Sequence, residues 1–237
     1  MLQFPQSAVK LFLIGIFISL LLVALLLFLP PSVSGSAQLS ESTEAIERGE
    51  YLVIAGGCIS CHRGENDEES LVGGLALVSE FGTFYAPNIT PDMNTGIGSW
   101  KAKDFLRALQ HGRSPAGSFY YPAFPYRAYA GLSDGDVLDI GSYLMSLEPL
   151  INAVPEAETP AWLNRWAMAG WNFLADMDAP VIEGFDNELV ARGAYLARNL
   201  GHCSECHTPR NAIGILDASR EFAGATLGEE VIEAINA

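Results

Sequence analysis

The pentapeptide CISCH, Cys58 to His62, returns as CSECH, Cys203 to His207, and these two units hold all four cysteines of the chain. Two residues between the cysteines, with a histidine directly after the second, suit covalent attachment of a porphyrin. Both sulfurs reach adjacent vinyl groups, and the histidine turns its imidazole under the iron, which is the spacing of c-type haem attachment. Three other uses of paired cysteines fit less well. A zinc ribbon sets its C-x-x-C pairs about 15–20 residues apart, whereas more than a hundred residues lie between these. A thioredoxin-like dithiol needs a βαβ context. Disulfides across two-residue loops would be strained and would leave the histidines without a purpose. The reading is two covalently bound haem c groups, attached at Cys58, Cys61, Cys203 and Cys206, with His62 and His207 as proximal iron ligands.

The flanks repeat as well. RGEYLVIAGGCISCH (Arg48 to His62) matches RGAYLARNLGHCSECH (Arg192 to His207), with one residue inserted before the first cysteine of the second copy. In each, RGxYL is expected on a helix whose apolar positions, Ile46, Tyr51 and Leu52 or Tyr195 and Leu196, face the haem, with glycine closing the helix before the attachment turn. LVGGLALV (Leu71 to Val78) has a weaker echo in EFAGATLG (Glu221 to Gly228). The first unit continues through SWKAKDFLRALQHG, with Ser99 as N-cap and Trp100, Phe105, Leu106 and Leu109 as apolar positions. LSDGDVLDIGSYLMSLEPL comes next, with a capping-box variant at Ser133 and Asp136 and one apolar face of Val137, Ile140, Leu144 and Leu147. Few stretches alternate as strands do. The expected fold is all-α: cytochrome-c-like haem domains in tandem after an N-terminal transmembrane helix.

That helix is read from LFLIGIFISLLLVALLLFL, Leu11 to Leu29, a run without charge or proline. At about 1.5 Å per residue it nearly spans a bilayer core of about 30 Å. Lys10 precedes it and no Lys or Arg comes after it until Arg48, so the positive-inside bias sends the rest outside the cytoplasm. A cleaved signal peptide is the alternative, since SVSGSAQ offers small residues for cleavage, though the apolar run exceeds the usual core. Both readings export the remainder of the chain. The expected organisation is 1–30 anchor or signal, 31–40 a Pro/Ser/Gly-rich tether, 41–150 a first haem domain, 151–190 a connection, and 191–237 the start of a second, truncated domain. The second copy has thirty residues after His207, with no Met, His or Lys among them, and a half-built core of that size would be marginal.

A formal charge of −15 and a pI near 4.5 leave nothing to replace phosphate counterions, so nucleic acid is excluded as a partner. They suit docking to a basic redox partner. The chain has no recognisable catalytic carboxylate pair, nucleophile motif or phosphate loop.

Beyond the haem motifs, FGTFYAPNITPDMNTGIGSW (Phe81 to Trp100), YYPAFPYRAY (Tyr120 to Tyr129), LSDGDV, LNRWAMAGWNFL (Leu163 to Leu174) and RGAYLARNLGHCSECHTPRNAIG (Arg192 to Gly214) run along most of the chain. With these the chain resembles the membrane-anchored di- and tri-haem cytochromes c that include the cytochrome subunits of bacterial alcohol and gluconate dehydrogenases. The resemblance implies electron transfer at the bacterial inner membrane, with the haem domains in the periplasm, from a dehydrogenase subunit towards quinone or an oxidase. It also implies a departure. Many relatives carry the distal methionine in YPAMPY, and this chain has Phe124 there.

The distal ligand of the first iron is therefore sought elsewhere. His111, at a helix end, competes with a role as capping cation, and Met93 competes with a role in loop packing. Met145 and Met168 read as core. Trp100, Arg127 and Arg210 are candidates for haem propionates, each with packing or solvation as the alternative. Tyr120, Tyr121, Tyr126 and Tyr129 interleave with two prolines as a rigid loop over a haem edge, and ENDEES (Glu65 to Ser70) reads as a solvated loop or docking face. The function expected is an electron carrier with no catalytic residues. The alternatives are a haem enzyme of peroxidase or thiosulfate-oxidising type with an open distal iron, and a gas sensor, for which two haems are more than is needed.

Overall fold

The structure, a computed structural model, describes residues 6–29, 31–33, 35–64, 69–176, 184–227 and 230–233. Most of the acidic run at 65–70 lies outside the described residues. Helix α1 spans Gln6–Phe28, α2 Thr43–Ala55, and α3 is the short attachment helix Cys58–His62. The hairpin β1 (Ala76–Ser79) and β2 (Gly82–Tyr85) comes next, then α4 (Ala102–His111), α5 (Tyr126–Tyr129) and α6 (Asp134–Ser146). Helix α7 (Ala167–Asp176) lies in the connection. The second unit comprises α8 (Glu188–Tyr195), a π turn at Leu196–Leu200, α9 (Ser204–His207), a 3-10 turn at Ala218–Arg220, and the hairpin β3 (Ala225–Leu227) with β4 (Glu230–Ile232).

The core of the first unit forms where α2 and α4 pack on α6. It gathers Leu52, Val53, Phe105, Leu106, Val137, Ile140 and Leu144, all nearly inaccessible to water. Removing each such side chain from water contributes about 1.5–3 kcal/mol. The close approach of α2 to α6 depends on Gly49, where a Cβ would lie 2.0 Å from the Asp139 carbonyl oxygen. This crossing decides which side of α2 is buried. Ala45, Gly49, Leu52 and Val53 face inward and Tyr51 lies out in solvent, so of the three apolar positions expected to face the haem, Tyr51 does not face the core. The proposed tether lies along the same unit: Val33, Ala37 and Leu39 pack against the core, and the Ser40 N–H donates to Ser142 Oγ at 2.9 Å.

Two local expectations change in detail. Helix α4 begins at Ala102, and its cap is the Lys101 backbone N–H, which donates to Asp104 Oδ2 at 2.9 Å; Ser99 lies outside it. At α6, Ser133 Oγ accepts from the Asp136 N–H at 3.1 Å as expected. The Asp136 carboxylate, however, does not return to the cap and accepts from Tyr195 Oη of the second unit.

The expected all-α class is corrected. The chain is mainly helical but carries two antiparallel hairpins, pairing Ala76–Ser79 with Gly82–Tyr85 and Ala225–Leu227 with Glu230–Ile232. Their strands have three or four residues, too few to show an alternating pattern. The expected N-terminal transmembrane helix is corrected too: among the described residues no helix is long and apolar enough to cross a membrane. Lys10 sits in the second turn of α1, and its last turn is held by the folded part. The Phe28 ring lies 5.8 Å from Phe119 and 5.2 Å from Trp166. The apolar stretch between these ends falls short of the about 20 residues that a typical span uses.

Candidate haem-attachment sites

Each attachment turn is entered through a left-handed residue. Gly57 takes φ 64° before Cys58, and His202, its counterpart before Cys203, takes φ 40°. The preceding helices reach this point differently. In the first unit the Gly56 N–H donates to the Leu52 carbonyl four residues back, at 2.8 Å; in the second the Gly201 N–H reaches the Leu196 carbonyl five residues back, at 2.7 Å. The residue inserted in the second copy is thus absorbed as one π turn, and both cysteine pairs emerge from the same kind of turn.

The histidines are held alike. His62 Nδ1 lies 2.8 Å from the Pro87 carbonyl oxygen, and His207 Nδ1 lies 2.8 Å from the Glu233 carbonyl oxygen. A carbonyl only accepts, so Nδ1 carries the proton in each ring and Nε2 keeps a lone pair for a metal. Burial pushes the His62 pKa down, against the raising effect of the Pro87 carbonyl, which favours the neutral imidazole that an iron ligand must be. The carbonyls arrive by the same route. In each unit the chain passes the attachment histidine, whose own carbonyl accepts from Gly73 N–H at 2.7 Å or Gly224 N–H at 2.8 Å. It then forms a hairpin, and delivers Pro87 or Glu233 just after the second strand. The sequence signal for this was the weak echo of LVGGLALV in EFAGATLG; Pro87 and Glu233 themselves act through backbone atoms and carry no side-chain signal.

No disulfide joins the four cysteines. Burial raises the Cys58 thiol to about 11, and raises those of Cys61 and Cys206 as well. Such thiols stay protonated near neutral pH, unlike the depressed thiolates of redox-active or metal-thiolate sites. Among the described residues no group of three His, Cys, Asp or Glu is arranged to hold a metal ion. Cysteine pairs at a turn that are not joined to each other, each with a histidine directly after it whose tautomer is fixed, fit a haem c. Cys206 also lies close enough to Cys61 to raise the cost of ionising the Cys61 thiol, so the two attachment turns are neighbours in space.

The aromatic loop lies beside the first turn. Phe124 packs on the core with Tyr120 and Tyr129 rings each 5.6 Å away. Burial pushes the Tyr120 and Tyr126 phenols up to about 12, and Tyr126 Oη donates to Asn172 Oδ1 at 2.6 Å. The two arginines considered for propionates line one small cleft with Phe124, Trp171 and Glu205. Each already has a partner within the chain. Arg127 pairs with Asp176 at 2.7 Å, and Arg210 with the Glu205 carboxylate and the Gly214 carbonyl. Trp100 packs edge-on against Phe105 at 5.2 Å.

Neither distal candidate is brought into the core. Met93 is 66% exposed, and His111 is exposed at the end of α4, where partial desolvation, the largest effect, lowers its pKa. Met145 is half-buried against the core, and Met168 is buried with Phe119 and Ala169.

Residues 46–148 match the cytochrome c family. A diheme cytochrome c-type protein of Cereibacter sphaeroides is 44% identical over 187 residues, covering 77% of this chain and 63% of that protein. The gluconate 2-dehydrogenase cytochrome c subunit of Pantoea cypripedii is 40% identical over 70% of this chain and 38% of its own length. The fructose dehydrogenase cytochrome subunit of Gluconobacter japonicus is 38% identical over 81% and 42%. The chain thus spans less than two thirds of the length of each of these relatives. With the attachment turns, the anchored histidines and these matches together, residues 46–148 form a cytochrome c domain, a unit that binds haem c covalently.

Proposed function

We propose that the chain is a di-haem c-type cytochrome that passes single electrons on the periplasmic side, from a dehydrogenase subunit or other donor towards quinone or an oxidase. Cys58 and Cys61 would hold one haem with His62 on its iron, and Cys203 and Cys206 a second with His207 on its iron. The observation that carries the reading is the repeated anchoring of His62 and His207 through Nδ1 to a backbone carbonyl at 2.8 Å. It fixes both rings in the ligating tautomer. Bound haem supplies the one-electron chemistry; the protein's part is to hold each histidine ring, exclude water with the aromatic loop and set the dielectric, which together tune the potential. A dehydrogenase partner is suggested by the names of the relatives, and the acidic surface favours a basic docking face. Export is suggested by the lone Lys10 ahead of an apolar segment with no further Lys or Arg until Arg48.

The exposure of both His111 and Met93 favours a second reading, a haem enzyme with an open distal iron at the first site. One experiment addresses both. Holoprotein from cells with c-haem maturation should carry two haems per chain by haemochrome assay and intact mass. Cys206→Ala combined with Cys203→Ala should leave one. A single haem in the wild type would sink the di-haem reading. Rapid CO binding by the reduced protein, with turnover of peroxide or thiosulfate, would favour the enzyme.

A further inference from the structure

The left-handed position before each attachment helix is filled differently in the two units. Gly57 adopts φ 64° at no steric cost, whereas His202 is held at φ 40°. A residue with a side chain is strained there by about 1–3 kcal/mol and persists only where its surroundings hold it. What holds His202 is a ring contact across the units: its imidazole meets the Tyr129 ring edge-on, at 5.7 Å and 80°. Tyr129 is buried in the first unit's core and lies near enough to Cys58, Cys61 and Glu205 to feel their charge. One aromatic pair therefore reaches from the first attachment turn to the second.

The surroundings leave that pair little freedom. Leu200 is 2% exposed and belongs to the first unit's core. A Cβ on Gly131 would lie 2.3 Å from Asn199 Oδ1, so the Asn199 side chain lies directly on the Gly131 backbone. Tyr195 Oη accepts from the Ser133 N–H at 3.1 Å and donates to Asp136.

We propose that Tyr129 and His202 are positioning residues that set the two attachment turns against each other, so that the two haems exchange electrons as a coupled pair. The inference rests on the di-haem reading. The step moves one electron, oxidising one iron and reducing the other, with no bond made or broken and no proton transferred. The strain at His202 is then the cost of placing a ring, where glycine would serve the turn alone.

The test uses holoprotein whose haem content has first been counted. His202→Gly removes the ring and relieves the strained backbone; His202→Phe keeps a ring in the same turn. Inter-haem exchange is tracked by flash photoreduction, and folding by thermal unfolding. His202→Gly is expected to unfold no more easily than wild type yet to slow exchange several-fold, as the looser spacing of the two attachment turns lengthens the path between the haems. His202→Phe is expected to keep the wild-type exchange rate. Exchange unchanged in His202→Gly, or slowed equally in both variants, overturns the proposal, as does slowing that only accompanies lost stability. A count of one haem would overturn the di-haem reading itself, whereas two haems with an unaffected His202→Gly would overturn only the pairing.

Discussion

Gly49 and Gly193 hold the same place in the repeated RGxYL segment but meet different surroundings. A Cβ at Gly49 would be 2.0 Å from the Asp139 carbonyl oxygen and 2.7 Å from Tyr143 Cβ, whereas nothing lies within 4 Å of one at Gly193. The two alanine substitutions should therefore have opposite signs. Gly49→Ala forces α2 away from α6 and should cost about 2–3 kcal/mol, as overpacking against backbone does. Gly193→Ala sits in α8 with open space around it and should gain about 0.5–1 kcal/mol through helix propensity alone. Denaturant midpoints of the two holoprotein variants check both signs. Equal effects would mean that the first unit's close crossing is not what the glycine serves. The sequence aligns the two glycines and predicts a helix for each, but it carries no sign of which one touches a neighbour.

At the scale of elements, the loop between β2 and α4 places Pro87 under His62, and a buried polar network holds it. Asn88 Nδ2 donates to Thr95 Oγ1 at 3.1 Å and to the Leu150 carbonyl at 2.7 Å, while its Oδ1 accepts from the Thr90 N–H at 2.9 Å. Asp92 Oδ1 accepts from Thr95 Oγ1 and the Thr95 N–H, both at 2.7 Å. These bonds, led by the Thr95 hydroxyl, hold the Asp92 carboxyl below its usual range, with burial opposing. A depressed folded-state pKa means that the stabilisation is fully present above the unfolded value of about 3.9 and is lost as pH falls through the lower folded value. The thermal midpoint should fall across that acidic window, and Asp92→Asn should lower it most at neutral pH, where the carboxylate is ionised, and flatten this part of the profile. An unchanged acid slope in the variant would show that the loop draws nothing from this carboxylate.

Much of this was legible in sequence, and the remainder fails for physical reasons. The paired C-x-x-C-H turns and the helices α2, α4 and α6 follow from spacing and from 3.6-residue periodicity, because those signals are local. The one-residue insertion was visible, though not that a π turn absorbs it. The hairpins were hidden because strands of three or four residues show no alternation, and the carbonyls they deliver are backbone atoms. The cap at Asp104 was hidden because Ser99 is the better cap in isolation, and only the loop's path puts Lys101 at the helix start. The apolar N-terminal run was plain, while its contact with Phe119 and Trp166 is tertiary and leaves no local trace.

On the scale of the whole molecule, the question is whether the two units unfold as one. Leu200 lies in the second unit's π turn but is buried in the first unit's core, and a Cβ on Gly56 would come within 3.2 Å of its Cδ1. The end of α2, just before the first attachment turn, is thus covered by a residue from the second unit. Leu200→Ala leaves a cavity between them and should cost about 2–5 kcal/mol. On the di-haem proposal, because the cavity borders both attachment turns, the loss should appear at both haems together. Chemical unfolding monitored at the Soret band of each haem should give coincident transitions in the wild type, and both should shift to lower denaturant in the variant. If the first haem's transition stayed at its wild-type midpoint while only the second moved, the units would be separate folding entities. The shared core at Leu200, with the ring pair at Tyr129 and His202 beside it, predicts the coincident result.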